Sequence, residues 1–244
     1  PAAEVRGLAL ADGHVAERII VRPSAGIAVP MLLLHPAPGA RPPPVVLGLC
    51  QHGKQLFMER YAPDIADLLH AGVAVCLPDL RGMGETRPDD MHGLQSEYIN
   101  CSENEQMLGC TALALQLCDV RSVIRYLEAR QDLDAGRLGI WAESMAPINL
   151  PRAIAEEHDS RLIDNSLRPN LPHGPAIGEP AGPILALLAS LFEENVKALV
   201  IRRGLVNWLS LFDSYFLYVP SDAVVPGSVN AGDLNDLAAA FAPR

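Results

Sequence analysis

The sequence predicts an α/β fold, in which a mostly parallel sheet carries helices on both faces. Short continuous apolar runs bounded by Pro and Gly, such as residues 45–50 and 73–77, are typical of strands that are buried on both sides. Residues 60–70 instead repeat apolar side chains with a helical period. Strand and helix then alternate, and each crossover between parallel strands lays a helix on the sheet. A single domain spanning residues 1–244 is expected from this length.

The first half of the chain supplies four strands and one helix. Two strands, at 17–23 and 27–36, have no helix between them and predict an antiparallel pair at one edge of the sheet. Strands at 45–53 and 72–79 flank the helix at 60–70. The crossover between these two strands predicts that they are parallel.

The second half continues the alternation. Ser102 and Glu105 have the spacing of a capping box, which predicts one long helix from Ser102 to about Ala129. The Pro-, Asn- and Gly-rich stretch 159–182 is predicted to be a loop excursion from the domain. The remaining predictions are strands at 137–143 and 196–204 and helices at 147–157 and 183–194.

Composition excludes several functional classes. The net charge is −10 and no basic cluster is longer than Arg202-Arg203, so neither a nucleic-acid partner nor a polyanion is expected. Apolar runs such as 184–192 are too short to span a membrane, and a soluble protein is expected. No GxGxxG, no GxxxxGK[ST] and no CxxC occurs, so we expect no nucleotide, cofactor, metal or disulfide, with Cys50 and Cys76 as buried thiols. No leader follows Pro1, and the compartment (cytoplasmic, secreted or periplasmic) and oligomeric state stay open.

One serine stands where a predicted strand ends, in "RLGIWAESMAP". Ser144 would lie at the carboxyl edge of the sheet, where α/β proteins place reactive groups. A nucleophile elbow usually has Gly two residues before and after its serine, because the serine is held with φ > 0 while strand and helix pass closely. Ala142 and Ala146 make this a weakened elbow. The pentapeptide alone equally allows a serine that only caps the following helix.

A serine nucleophile also requires two amide donors for the oxyanion. The amide of Met145 would be one. The other belongs in the loop "QHGK", where Gly53 would let the amide of Lys54, or of Gln55, turn toward the site. His52 in this loop is a candidate substrate-binding residue, although a plain loop histidine is the favoured interpretation over a catalytic base.

Two further stretches carry candidate residues with a structural alternative. In "PDLRGMGET", Asp79, Arg81 and Glu85 could act in catalysis, but a carboxylate and a guanidinium in this arrangement more often fix a loop by bidentate hydrogen bonds. In the aromatic stretch 206–233, side chains could line an acyl or sugar pocket, but packing in the core or in a lid is the favoured alternative. These aromatic candidates are Trp208, Phe212, Tyr215 and Tyr218.

Taken in order, four stretches resemble the α/β-hydrolase superfamily, in particular its acetyl xylan esterase-like and dienelactone hydrolase-like branch. They are "VVLGLCQHGK", "GVAVCLPDLRGMGET", "RYLEARQDLDAGRLGIWAESMAP" and "VKALVIRRGLVNW". The resemblance runs from about Glu17 to the C-terminus. It implies that Ser144 is the nucleophile and that Met145 and the Lys54 region form the oxyanion hole. The implied reaction is hydrolysis of a small acyl ester or acetylated sugar through an acyl-enzyme.

The sequence departs from the family pattern after Ser144. Family members carry an Asp and then a His in later loops, whereas the only histidines after Ser144 are His158 and His173. His158 ends a predicted helix, where an exposed side chain is expected. A triad of Ser144 with Asp159 or Asp164 and His173 would lack the strand that separates serine from acid. This triad is therefore disfavoured.

The resemblance consequently implies a C-terminally incomplete domain, whose acid and base follow Arg244. Without a base, a serine hydroxyl is a weak nucleophile. The alternative is a non-catalytic relative that retains the pocket and binds a small ligand. A peptidase of the same fold usually brings a large additional domain, and the sequence has no sign of one.

Overall fold

Seven strands form one sheet in the computed structural model of the chain, which describes residues 2–88, 97–146, 178–212 and 219–242. Their order across the sheet is β1-β2-β3-β5-β4-β6-β7. The strands are β1 (Ala2–Ala9), β2 (Val15–Arg22), β3 (Val29–His35), β4 (Pro44–Cys50), β5 (Ala74–Pro78), β6 (Asp134–Glu143) and β7 (Val196–Arg202).

The sheet is mixed. Strands β5, β4, β6 and β7 run parallel to one another, whereas β1, β2 and β3 pair antiparallel and β3 also pairs antiparallel with β5. The predicted α/β class is confirmed, and the mostly parallel sheet is matched only in part. The antiparallel part is larger than expected because β1, which was not predicted, pairs with β2 from Ala2↔Arg22 to Ala9↔Val15.

Helices cover both faces of this sheet. They are α1 (Lys54–His70), α2 (Glu97–Met107), α3 (Ala112–Glu128), α4 (Ala181–Phe192), α5 (Ser228–Ala231) and α6 (Leu234–Phe241). Phe57 and Ile65 of α1 pack on one face with Leu77. On the other face, α3 and α4 contribute Ile124 and Leu185 to a larger core. Fully burying a side chain of this size stabilises the fold by roughly 1.5–3 kcal/mol.

The predicted long helix is wrong in one respect, because two helices replace it. Helix α2 ends at Met107 and α3 begins at Ala112, at an angle of 101° to α2. Thr111 caps α3 by accepting a hydrogen bond from the Ala114 amide at 3.1 Å. Ser102 is not a cap: it is buried within α2, where its hydroxyl donates to the Ile99 carbonyl at 2.7 Å. Gly109, with φ of 81°, allows the break.

Several other sequence predictions meet the described residues only in part. The predicted helix 147–157 and most of the excursion 159–182 lie outside them. Ala181 and Gly182, at the end of that excursion, instead begin α4. Cys50 and Cys76 are buried free thiols, as predicted, and burial raises the pKa of each to about 12. In the described part of the chain no single helix is long and apolar enough to cross a membrane, and only the bent pair α2–α3 meets that length and composition when counted together.

Candidate functional site

The carboxyl ends of β4, β5, β6 and β7 lie together at one edge of the sheet. Ser144 directly follows β6, which lies between β4 and β7 in the sheet, and is 3% exposed. Cys50 at the end of β4 pairs with Glu143, so the loop that begins at Gln51 lies beside Ser144. On the other side Glu143 pairs with Arg202 of β7. The position predicted for Ser144, at a strand end on this edge, is confirmed.

The backbone conformation predicted for Ser144 is wrong. Its amide donates to the Arg202 carbonyl at 3.3 Å, so pairing with β7 continues one residue beyond β6. Among the described residues, Asp12 and Arg203 are the non-glycine residues with positive φ, and Ser144 is not one of them. The hydrogen bond to β7 holds Ser144 as an extension of the strand. Whether it caps a following helix concerns residues outside the described ranges.

Gly53 gives the loop after β4 its sharp turn. Its φ is 90°, and an added Cβ would lie 2.3 Å from the Gly84 Cα. The Lys54 amide that follows is not available for an oxyanion, because it donates to Asp79 Oδ1 at 2.7 Å. The prediction for Lys54 is therefore wrong, and the alternative, Gln55, has an amide with no acceptor among the described residues. The oxyanion role of Met145 stays a prediction.

Asp79 fixes the two loops to each other. It is 2% exposed and also accepts hydrogen bonds from Lys54 Nζ at 2.6 Å and from the Glu85 amide at 3.0 Å. Lys54 Nζ donates to Glu85 as well. Gly84 leaves room for this carboxylate, since an added Cβ would lie 2.3 Å from Asp79 Cγ. The structural interpretation of this loop agrees with these contacts.

Arg81 fixes the same loop to a helix. Its Nε and Nη2 donate to Asp119 of α3 at 2.7 and 2.5 Å, and its backbone amide donates to the same carboxylate at 3.2 Å. The hydrogen bonds to Asp119 raise the pKa of Arg81 above its ordinary value. The sequence predicts a bidentate contact of this type. In the structure the carboxylate that binds Arg81 belongs to the fully buried Asp119 and not to Asp79.

His52, in the loop after β4, contacts an acidic side chain. Its Nδ1 lies 3.0 Å from Glu179 Oε1, and the two side chains are only 25% and 16% exposed. Burial raises the pKa of Glu179 to about 7; Arg87 opposes this shift and Asp222 adds to it. His52 is thus a loop histidine paired with a partly buried carboxyl group, and its role in substrate binding stays a prediction.

Gln51 binds a second carboxyl group, that of Asp222, at this edge of the sheet. Its Nε2 donates to Asp222 Oδ2 at 3.1 Å, and its Oε1 accepts from the Ala181 amide at 3.2 Å. Asp222 is 4% exposed, and burial raises its pKa to about 6. Asp222 Oδ1 and Glu179 Oε2 are buried and have no hydrogen-bond partner among the described residues. Sequence reasoning missed both acids, because neither belongs to a motif or a strand end.

The remaining candidates do not join this cluster within the described residues. Trp208 is 4% exposed and packs in the main core, with its backbone amide donating to Asp233 at 2.7 Å. The core-packing alternative therefore holds for Trp208. The side chain of Phe212 lies outside the described residues. So do Tyr215, Tyr218, His158, His173, Asp159 and Asp164. Among the described residues, no three His, Cys, Asp or Glu side chains are placed to hold a metal ion.

Comparison with known proteins finds relatives by structure only. No protein-family model matches the chain, and no curated protein matches its sequence. A crystal structure from Bacteroides fragilis, provisionally assigned as an acetyl xylan esterase, has a TM-score of 0.72 at 14% identity over 100% of this chain. The chain has an α/β-hydrolase fold. At this identity the likeness concerns the fold alone, and the α/β-hydrolase resemblance is confirmed at that level.

Two other solved structures share this α/β-hydrolase fold. A glucuronoyl esterase from Solibacter usitatus has a TM-score of 0.57 at 16% identity over 100% of this chain. Acetyl xylan esterase 1 from Thermoanaerobacterium sp. JW/SL YS485 has a TM-score of 0.51 at 13% identity over 82% of this chain. The chain spans 61%, 66% and 51% of the Bacteroides, Solibacter and Thermoanaerobacterium proteins, respectively.

Proposed function

We propose that the chain carries the nucleophile of a serine ester hydrolase that acts through an acyl-enzyme. The observation that carries the proposal is the position of Ser144, at the carboxyl end of a parallel strand that has a parallel neighbour on each side, and beside the loop that starts at Gln51. Solved structures with the same fold are named as esterases of carbohydrate substrates. A small acyl ester, in particular an acetylated sugar, is the substrate class that this similarity supports.

In the proposed reaction the Ser144 hydroxyl attacks the ester carbonyl and its proton passes to a histidine base. The alcohol leaves, an acyl-serine forms, and water then releases the acid. The amides of Met145 and Gln55 would face the oxyanion, and losing one such donor costs about 10²- to 10³-fold in rate. His52 with Glu179 is the histidine–carboxyl pair that the described residues place at this edge.

The test is hydrolysis of p-nitrophenyl acetate by the full-length protein. Ser144→Ala is expected to lower kcat/KM by at least about 10³-fold and to abolish the acetyl adduct in mass spectra after rapid quenching. Ser122→Ala is the matched control, because in the described part of the chain the one bond of this partly exposed hydroxyl goes to the Cys118 carbonyl of its own helix. Turnover that is unchanged in Ser144→Ala would overturn the proposal. His52→Ala reports whether the described pair supplies the base.

Two observations favour a second candidate, a non-catalytic relative that binds a small ligand. Ser144 continues the pairing of β6 with β7 instead of turning at positive φ. The Lys54 amide is already bonded to Asp79. An organophosphonate probe discriminates the two functions, because it labels only an activated serine. Absence of labelling at Ser144 in the full-length protein, together with saturable binding of an acetylated sugar, would establish the second candidate.

A further inference from the structure

A second concave site lies between helix α1 and the antiparallel strands. It is a groove of about 410 Å³, within the range of about 300–1,000 Å³ that small-molecule pockets occupy. Its walls include Leu8 of β1, Leu34 of β3, and Met58 and Ile65 of α1, and all but one of the lining side chains are apolar. Leu8 remains 60% exposed at the rim. The groove therefore offers apolar surface that the described chain does not cover.

The one charged lining residue, Arg18, belongs to an unfavourable pair. Arg18 of β2 lies directly opposite Arg6 of β1, on the sheet face that bears the groove. Like charges directly opposite each other destabilise an antiparallel pair. Among the described residues, neither guanidinium has an acidic partner or a side-chain hydrogen bond. Two unpaired cations therefore stand beside an apolar groove.

The same two strands show what a compensated arginine looks like. Arg22, two positions along the same face from Ile20, donates from Nη2 to Glu4 at 3.0 Å. Glu4 lies opposite Ile20, so the compensating acid is one diagonal step away. Glu4 also lies one diagonal step from Arg18 and two residues from Arg6, but the hydrogen bond of its carboxylate goes to Arg22. Among the described residues, no carboxylate therefore bonds Arg6 or Arg18.

We propose that this groove binds a free aliphatic carboxylate. The carboxylate lies between Arg6 and Arg18, where guanidinium groups bind it through paired hydrogen bonds, and the hydrocarbon tail fills the space against α1. A monomeric ligand is favoured over an anionic membrane surface because the apolar side chains line a recess. This site is separate from Ser144 and does not depend on the proposed esterase function.

The test is calorimetric titration of decanoate, at monomeric concentrations, into Ser144→Ala protein, which removes hydrolysis from the measurement. Saturable binding at one ligand per chain is expected. The double variant Arg6→Gln/Arg18→Gln is expected to weaken decanoate binding at least tenfold. Arg125→Gln is the control, because this exposed arginine lies on α3, on the other face of the sheet, and it is expected to leave the affinity unchanged. Absence of saturable binding to the parent protein would overturn the proposal, as would equal affinity in the double variant.

A second measurement separates charge from fold. Without ligand, Arg6→Gln is expected to raise Tm by a few degrees, because it removes a repulsion. With decanoate, Tm is expected to rise in the parent protein and not in the double variant. Ala66→Leu, which fills the groove, is expected to abolish decanoate binding while circular dichroism shows the parent fold. Association with phosphatidylglycerol vesicles but not with free decanoate would assign the arginines to a membrane surface and overturn the proposal.

Discussion

Two buried carboxyl groups at the same edge of the sheet accept different numbers of hydrogen bonds. Asp79 follows β5 and receives three hydrogen bonds, one of them from the Lys54 ammonium. Asp222 is nearly as buried, yet it receives one side-chain hydrogen bond, from Gln51, and its Oδ1 has no partner among the described residues. Glu179 beside it also keeps one buried oxygen without a partner in the described ranges.

The difference separates a carboxylate that fixes the loops around it from carboxyl groups that can still accept a hydrogen bond. A carboxylate with every oxygen satisfied fixes its neighbours, as Asp79 fixes the loops after β4 and β5. Buried oxygens without partners cost free energy, and burial raises the pKa of Glu179 and of Asp222 accordingly. The Asp222 side of the edge is thus able to accept a further donor, and the Asp79 side is not.

Removing the satisfied carboxylate should have the largest effect. Asp79→Ala leaves the Lys54 ammonium, itself 17% exposed, without its buried partner, and leaves two backbone amides unpaired. We expect a loss of about 3–5 kcal/mol in the free energy of unfolding, measured by urea denaturation. Glu85→Gln removes only the 58% exposed partner of Lys54 and should cost less than about 1 kcal/mol. Equal losses in both variants would contradict the role given to Asp79.

Neutralising the under-satisfied side should instead stabilise the protein. The pKa of Glu179 is about 7 in the folded state against an ordinary 4.5, so the folded state keeps its proton to higher pH than the unfolded chain. Wild-type stability therefore falls as pH rises from about 4.5 to 7. Glu179→Gln should gain on the order of 3 kcal/mol above pH 7 and nothing below about pH 4.5. A gain that is constant across pH would contradict the assigned pKa.

Filling the space beside Asp79 should reduce the stability of the protein somewhat less than removing the Asp79 carboxylate. In Gly84→Ala the new methyl group meets the Asp79 carboxylate at a position with φ of 51°. We expect about 2 kcal/mol of destabilisation by thermal unfolding, beyond that of the control. Gly26→Ala is the control, because its φ is 80° but nothing lies within 4 Å of the added Cβ. Identical costs would mean that backbone strain alone matters at Gly84.

Removing the Gln51 hydrogen bond to Asp222 should have the smallest effect on stability, and it tests the contrast between Asp222 and Asp79. Gln51→Leu removes the one side-chain donor to Asp222 and should cost about 0.5–1.5 kcal/mol in stability. Because that hydrogen bond lowers the pKa of Asp222, its removal should move this pKa above about 6. Carbon-13 NMR titration of the aspartate carboxyl signals measures the shift. An unchanged pKa would contradict the contribution assigned to Gln51.

Apolar runs made six of the seven strands predictable, and β5, which is buried along its whole length, has the clearest of these runs. Strand β1, "AAEVRGLA", has no such run, and its conformation comes from eight pairs with β2. The break between α2 and α3 has a signal in the sequence. Gly109 and Thr111 are a helix-ending and a helix-starting residue, but the apolar stripe continued past both.

The site was less predictable than the fold, because its contacts are long-range. Ser144 could be placed from its position after an apolar run, whereas the hydrogen bond of its amide depends on Arg202 in the partner strand β7. The Gln51–Asp222 contact joins residues 171 positions apart, and no local pattern encodes it. The Lys54 amide was assigned to an oxyanion because sequence shows the turn at Gly53 but not the carboxylate that meets it.

The start of helix α1 has a consequence for folding. Gly53 has no side chain to cap this helix, and the first amide is satisfied by Asp79, 25 residues further along the chain. The hydrogen bonding of its first turn therefore includes a long-range contact, which forms only when β5 has paired with β4. In native-state hydrogen exchange, the Lys54 amide should become exposed in the same opening event that separates these two strands, rather than by fraying of the helix end.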